Sequence, residues 1–243
     1  MKKLLIGFVI ATLLIGLVGC ASQTAAPTVK VSQGFGLVNT PRLGPGKDDT
    51  DTQVYSINQV FVNALFDAEG KIVALYIDEL EVATPNYDGA GMPHFSGFPG
   101  QSGYNNDANH DGVVEGVLVT DNDNFQAEIN GWVTKRERGD SYHLNTGNWA
   151  TQMDKYQELF VGKTVAEVEE WFNKYTAANG RPLKDGLTNE QDKAKYDALT
   201  ADEKAMLADV TTSATISLRD AHGDFVGAIK KAYENRVEIE IAQ

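Results

Sequence analysis

The chain has one cysteine, few basic residues and a single long apolar run. Cys20 is the only cysteine among 243 residues. Nothing beyond it can therefore form a disulfide, a Cys-ligated zinc site or a thiol nucleophile, so any folded domain must be held by its core. Basic residues are scarce: 21 Lys and Arg face 34 Asp and Glu, for a formal net charge of −13. That balance argues against a nucleic-acid partner, because phosphate backbones require clustered Lys and Arg. It equally disfavours an amphipathic helix lying flat on an anionic membrane. The four histidines, His94, His110, His143 and His222, include no i, i+4 pair of the kind that holds zinc on a protease helix. They are read as surface or hydrogen-bonded residues. Gly-x-Ser-x-Gly, P-loop and paired-cysteine motifs are all missing. The apolar run Leu4 to Val18 is interrupted by one polar residue, Thr12. It falls short of the ~20 residues that a membrane-spanning helix needs.

What surrounds that run is informative. Lys2 and Lys3 precede it, and Leu17-Val18-Gly19-Cys20 closes it. The closing tetrapeptide resembles a bacterial lipobox. The resemblance implies that residues 1–19 are a signal peptide. It also implies that Cys20 receives a diacylglyceryl group on its sulfur and becomes the first residue of the processed protein. Two or three acyl chains anchor stably, since each buried CH₂ contributes ~0.8 kcal/mol and one chain alone is marginal. The expected location is the extracytoplasmic face of the cell membrane, with the lipid bilayer as a partner through Cys20. Removing 19 residues from 243 leaves 224, enough for one domain of ordinary to large size or two small ones.

Residues 20–50 are read as a lipid-anchored N-terminus and flexible tether. Ala21 to about Lys30 is small and polar, and Gly34 to Asp51 is loop-like in its Gly, Pro and charge content. Residues 51–243 are read as one α+β domain, a twisted and mainly antiparallel sheet with packed helices. Val54–Phe66 and Ile72–Val82 are apolar stretches, with Val60, Val62, Ala64 and Phe66 alternating. Asp67-Ala68-Glu69-Gly70-Lys71 supplies the turn of a β-hairpin. Thr84 to Asn124 is dense in Gly, Pro, Asn and Asp, with a short strand expected at Val113–Thr120. The spacing predicts helices over about 148–160 and 164–178, the second capped by Thr164 with Glu167 three residues on. Residues 180–199 are polar and about half helical. Thr200-Ala-Asp-Glu is a second capping-box pattern. Phe225, Ile229 and Ala232 mark a last amphipathic helix, and Val237–Ile241 alternates as a closing strand.

The segment with chemical content is Asp209-Val210-Thr211-Thr212-Ser213-Ala214-Thr215. It resembles the flavinylation motif of FMN-binding domains: Asp, two variable residues, Ser or Thr, Gly or Ser, Ala, then Ser or Thr. Further fragments are similar to the same domain. They are Asp67-x-x-Gly70-Lys71-Ile72-Val73, Thr134-Lys135-Arg136-Glu137-Arg138-Gly139-Asp140-x-Tyr142, Trp149-x-x-Gln152 and Val161-Gly162-Lys163-Thr164. Together, over roughly residues 50–235, they resemble the FMN-binding lipoproteins of Gram-positive extracellular electron transfer, with 85–125 the least typical stretch. The chain departs from the usual motif at Ser213, where Gly is commoner and gives the backbone more freedom.

The resemblance implies an FMN-binding-domain-like fold and an electron carrier rather than a stand-alone enzyme. A flavin transferase would join FMN to the Thr215 hydroxyl through a phosphoester, with Asp209, Ser213 and Ala214 as the recognition motif. A membrane quinone-linked dehydrogenase or other redox donor would supply electrons. Ser213 and Ala214 are small enough to admit a transferase. Backbone N–H groups of a following helix, with Arg219, are expected to stabilise the phosphodiester. Trp132, Tyr142, Trp149 and Trp171 are available as surfaces for the flavin ring.

Asp107-Ala108-Asn109-His110-Asp111-Gly112 has the spacing of the first half of a calcium loop, with Asp107, Asn109 and Asp111 as Ca²⁺ ligands. Leu118 stands where that loop ordinarily carries an acidic residue, and a solvated Asx-rich turn is the plainer reading. The rival function is a non-enzymatic solute-binding or adhesion lipoprotein, calcium-stabilised or not, with Tyr87–Tyr104 as its ligand-facing loop. A purely structural envelope protein is the third alternative.

Overall fold

Val, Ile, Phe and Tyr at alternate positions make the first described part of the chain a meander of long strands. The computed structural model describes residues 28–47, 51, 53–84, 92–99 and 122–242. Strand β1 is Thr28–Lys47, β2 is Gln53–Phe66 and β3 is Ile72–Ala83. Both pairings are antiparallel. Every second residue of β2 is buried, from Val54 to Phe66, because side chains alternate across a pleated strand. The β2–β3 turn is held by Asp67, whose carboxylate accepts the Lys71 N–H at 2.8 Å. Gly70 takes a positive φ of 78° there, which a residue with a Cβ adopts at a cost.

The tether reading needs correction here. Residues 28–30 and Gly34 to Lys47 are strand, not tether or loop. The glycines that look like loop residues serve close packing instead, with Gly34 and Gly36 lying against the backbone of the last helix.

Among the described residues six α-helices follow: α1 (Asn122–Asn130), α2 (Trp149–Phe160), α3 (Val165–Tyr175), α4 (Glu190–Asp197), α5 (Ala201–Ser213) and α6 (Phe225–Glu234). A 3₁₀ turn at Gly139–Ser141 precedes the tiny hairpin β4 (His143–Leu144) and β5 (Gly147–Asn148). A second tiny hairpin, β6 (Arg219–Asp220) and β7 (Gly223–Asp224), precedes α6. β8 (Val237–Ala242) completes a four-stranded sheet of order β3-β2-β1-β8. The architecture is α+β with a mainly antiparallel sheet.

The helix starts follow from their caps. The Asn148 side chain accepts the Thr151 N–H, and both Thr164–Glu167 and Thr200–Glu203 form complete capping boxes. A cap of this kind contributes ~1 kcal/mol. The Glu203 carboxyl is pulled down to about 2, first by Lys174 and then by the Thr200 backbone. Helix α6 packs on β2 and α2 on β3. The core between sheet and helices includes Val60, Val62, Phe66, Met153, Tyr156, Phe160, Val168, Leu207, Val226 and Ile229, all fully buried. Residues 31–239 form one compact unit. No helix among the described residues is long and apolar enough to cross a membrane.

The signal-peptide and lipobox residues through Cys20 and the calcium-loop residues Asp107, Asn109 and Asp111 lie outside the described residues, as does the strand expected at Val113–Thr120. Among the described residues no group of three His, Cys, Asp or Glu is placed to hold a metal.

Candidate functional site around Thr215

The heptapeptide from Asp209 to Thr215 straddles the end of α5. Its first five residues complete the helix, and Ala214 is the C-cap, donating its N–H to the Val210 carbonyl. Thr215 is the first residue clear of the helix. Its placement is fixed by one fully buried side chain, Gln152 on α2. Gln152 Oε1 accepts the N–H of Thr215 at 2.9 Å, the N–H of Ile216 at 3.2 Å and the Thr215 hydroxyl at 3.3 Å. One helical turn on, the Tyr156 hydroxyl donates to the Ile216 carbonyl at 2.8 Å. The i, i+4 spacing puts both on one face of α2, so this face grips the loop at two adjacent points. Thr146, between β4 and β5, brings its hydroxyl to 3.0 Å from that of Thr215.

The grip is testable. Gln152→Leu keeps the volume and removes every acceptor, leaving the N–H groups of Thr215 and Ile216 without partners. Each unpaired buried donor costs about 1–3 kcal/mol. We expect a loss of about 2 kcal/mol in urea denaturation; a neutral substitution would show that the loop is held by something else.

The other motif residues have contacts of their own. Asp209 is exposed and ion-pairs with Lys155 of α2 at 2.8 Å. Ser213 is half-buried, within 3.3 Å of the Thr212 hydroxyl. Ala214 is completely buried in the core. Of the stabilising groups expected after Thr215, the start of a directly following helix is missing among the described residues. No helix follows until Phe225, because the chain first turns through β6 and β7. Arg219 is engaged by Asp224 at 2.8 Å and lies over the Phe172 ring. Thr215 instead follows the carboxyl end of α5, where the helix dipole disfavours an anion. Positive charge near a phosphate must come from side chains.

Beside this loop opens a cleft of ≈ 190 Å³. Ile216 and Ser217 form part of its wall. Tyr142, Leu144, Trp149 and Phe225 supply apolar and aromatic surface, and Glu79, Lys135, Arg181, Asp220 and His222 supply charge and hydrogen-bonding groups. Trp149 and Phe225 sit with ring centroids 6.1 Å apart. Of the four aromatics put forward as ring surfaces, Tyr142 and Trp149 line the cleft. Trp132 is turned elsewhere, donating its indole N–H to the His94 carbonyl at 2.8 Å. Trp171 packs edge-on to Phe160 in the core.

A buried ionic cluster borders the same cleft. Lys135 Nζ lies 2.6 Å from Glu79 Oε1 and 3.1 Å from Glu81 Oε2. Glu81 is also bound by Arg42 at 3.2 Å and by the Ser56 hydroxyl at 3.0 Å. Burial would lower the Lys135 ammonium, but the charges of Glu79 and then Glu81 outweigh it and push it up. Burial would raise Glu81, yet Lys135, Ser56 and Arg42 together hold it below the usual carboxylate range. Glu79 has fewer partners, and burial pushes it up to about 7. Asp220 is favoured toward burial-raised protonation, but the His222 hydrogen bonds reverse this and lower it.

The sequence reading passes over this cluster, although a signal for it exists. Ile77, Glu79, Glu81 and Ala83 share one face of β3 by alternation, and the ends of that row are apolar. Two acids inside an apolar row point inward and require a cation.

No family model matches the chain, and no solved structure matches it. A curated relative, a chlorophenol reductase of Desulfitobacterium hafniense, is 38% identical over 221 residues, covering 87% of this chain. The chain spans 60% of that relative's length. The likeness is therefore to a protein named for a reduction.

Proposed function

We propose that the chain is a membrane-anchored redox carrier that holds FMN covalently at Thr215 with the flavin ring in the adjoining cleft. The observation that carries the reading is the coincidence of two things. A half-buried threonine hydroxyl is held in place by Gln152, and an aromatic-walled cleft begins at the next residue. The relative's name, chlorophenol reductase, supports redox chemistry without defining this chain's acceptor. The lipobox resemblance supports anchoring through acylated Cys20 at the extracytoplasmic face. A flavin transferase and a quinone-linked or other redox donor are the partners this reading requires.

The residues present fit the group. Thr215 supplies the hydroxyl that a phosphoester needs. Trp149, Tyr142 and Phe225 offer planar or edge surfaces to a ring, and such stacking contributes about 0.5–1.5 kcal/mol beyond area. Arg181 on the cleft wall supplies positive charge that the end of α5 does not. FMN, when bound, supplies one- and two-electron redox chemistry. The protein's part is to fix the attachment point, orient the ring and exclude water. Gln152 and Tyr156 fix the loop, and the core position of Ala214 keeps it from shifting along α5.

The test is intact mass of the chain from Ala21 onward, co-produced with a flavin transferase, beside a Thr215→Val variant. The expected result is a gain of one FMN residue in the wild type and none in the variant. No gain, with the transferase shown active on another substrate, would remove Thr215 and leave the solute-binding lipoprotein as the better reading.

A further inference from the structure

Two carboxylates share one lysine at the edge of the cleft, and they are not equally provided for. Glu81 has Lys135, Arg42 and the Ser56 hydroxyl. Glu79 has Lys135 through Oε1 alone. Its Oε2 is buried and has no hydrogen-bond partner among the described residues. A bare carboxylate oxygen in a dry site favours the protonated form, and the cleft that Glu79 lines provides a route to solvent.

We propose that Glu79 is the proton-exchanging group of this cleft: it binds one proton at Oε2 when reduction adds negative charge there, and releases it on reoxidation. The inference rests on the redox reading above. The electrons come from an external reductant. The proton comes from water or a buffer acid, and an O–H bond forms at Oε2 as that donor loses it. The one net negative charge that reduction leaves in the cleft is matched by one proton at Oε2, and both leave on reoxidation.

The groups facing Glu79 leave it as the one poised to respond. Lys135 and Tyr142 approach from the segment before β5, Arg181 from the loop after α3, and Asp220 and His222 from the β6–β7 hairpin. Glu81 lies on the same strand. Lys135 remains a cation, because two carboxylates surround it. Asp220 is held ionised by His222, and Glu81 by its three partners. Glu79 alone among the carboxyls here is raised to about 7, since burial outweighs a lysine whose charge Glu81 already shares. Further negative charge in the cleft raises it again, so the exchange operates above neutral pH.

The experiment uses the full chain, produced with and without a flavin transferase, and intact mass first reports which samples carry flavin. In the flavin-free chain, infrared spectroscopy follows the C=O stretch of protonated carboxyls, which His222 does not contribute. A band titrating near pH 7, missing in Glu79→Gln, is expected. Glu81→Gln should lower the midpoint of that band, because Lys135 then serves Glu79 alone. This second variant decides the matter if Glu79→Gln does not fold. In the flavin-loaded chain, reduction by dithionite at about pH 8 should make the carboxyl band appear. The potential should also fall by an extra ~30 mV per pH unit above neutrality, one tenfold change per unit for a two-electron couple. Glu79→Gln should abolish both. Absence of a neutral-range carboxyl in the flavin-free chain overturns the proposal. So does a flavin-loaded chain whose band and slope ignore Glu79→Gln, and in that case the redox reading stands. A chain that accepts no flavin overturns that reading and the redox link with it, whatever the band shows.

Discussion

Lys135→Met should destabilise the protein by about 3–5 kcal/mol at neutral pH, the range for removing one partner of a buried ion pair. Lys135 is 3% exposed, and its two carboxylate partners are 0% and 2% exposed. Methionine fills the space but leaves Glu79 with no countercharge and Glu81 with Arg42 only. The effect has a definite pH dependence. Glu79 in the folded protein sits near 7, above its ordinary 4.5. Between those values the native state holds a proton that the unfolded chain gives up. Stability from this group is therefore fully present below about 4.5 and is lost as pH rises through about 7. Removing Lys135 raises the folded value of Glu79 further and extends the loss to higher pH. Urea denaturation of both proteins from acid to alkaline pH checks this. The gap should narrow toward acid, where both carboxyls are neutral, and adding Glu79→Gln should recover part of it. A small loss that ignores pH would mean that the cluster is open to water.

The second large effect is expected where α6 meets β1. A Cβ on Gly36 would stand 2.0 Å from the Ala228 carbonyl oxygen and 2.8 Å from the Ala232 nitrogen. One on Gly34 would stand 1.9 Å from the Ala232 oxygen. Two residues apart on a strand means one face, and Ala228 and Ala232 are one turn apart on α6. The clashes are with backbone, which no rotamer change relieves. Gly36→Val should therefore cost about 3 kcal/mol, the upper end for overpacking, by forcing α6 off the sheet. Gly34→Ala with Gly36→Ala should cost less than the sum of the singles, since one helix displacement serves both. Thermal unfolding measures this. A Gly36→Val protein of wild-type stability would show that α6 does not seat on these glycines.

Those glycines also show where sequence patterns stop being legible. The β2–β3 hairpin, α2, both capping boxes, α6 and β8 follow from alternation, helical spacing and local caps, which are short-range signals. Strand β1 does not. Gly34, Gly36, Pro41, Gly44 and Gly46 read as loop, and the first two become strand only because a helix some 190 residues away approaches too closely for a side chain. The site divides in the same way. Thr215 and Gln152 are visible as motif letters, but the hydrogen bonds between them are a tertiary fact. The cleft is assembled from β3, the segment before β5, the loop after α3 and α6, and no local pattern announces it. The position of Thr215 at the carboxyl end of α5, rather than before a new helix, could not be seen because the β6–β7 hairpin carries no periodic signal.

The assembly of that cleft from distant pieces imposes an order in time. The Asn58 side chain of β2 bonds the Ala221 carbonyl across 163 residues, and Phe225 lines the cleft together with Glu79. In a chain emerging N-terminus first, the hairpin exists long before its lid does, with the row Val60, Val62, Ala64 and Phe66 uncovered. Closing so large a loop is slow compared with forming a hairpin. During that interval the hairpin edge is a site for mispairing, and a companion that shields apolar strands would have most effect then. Any enzyme that recognises Thr215 in its folded loop would likewise act only on chains that have already reached α6, so modification would double as a check that folding is complete.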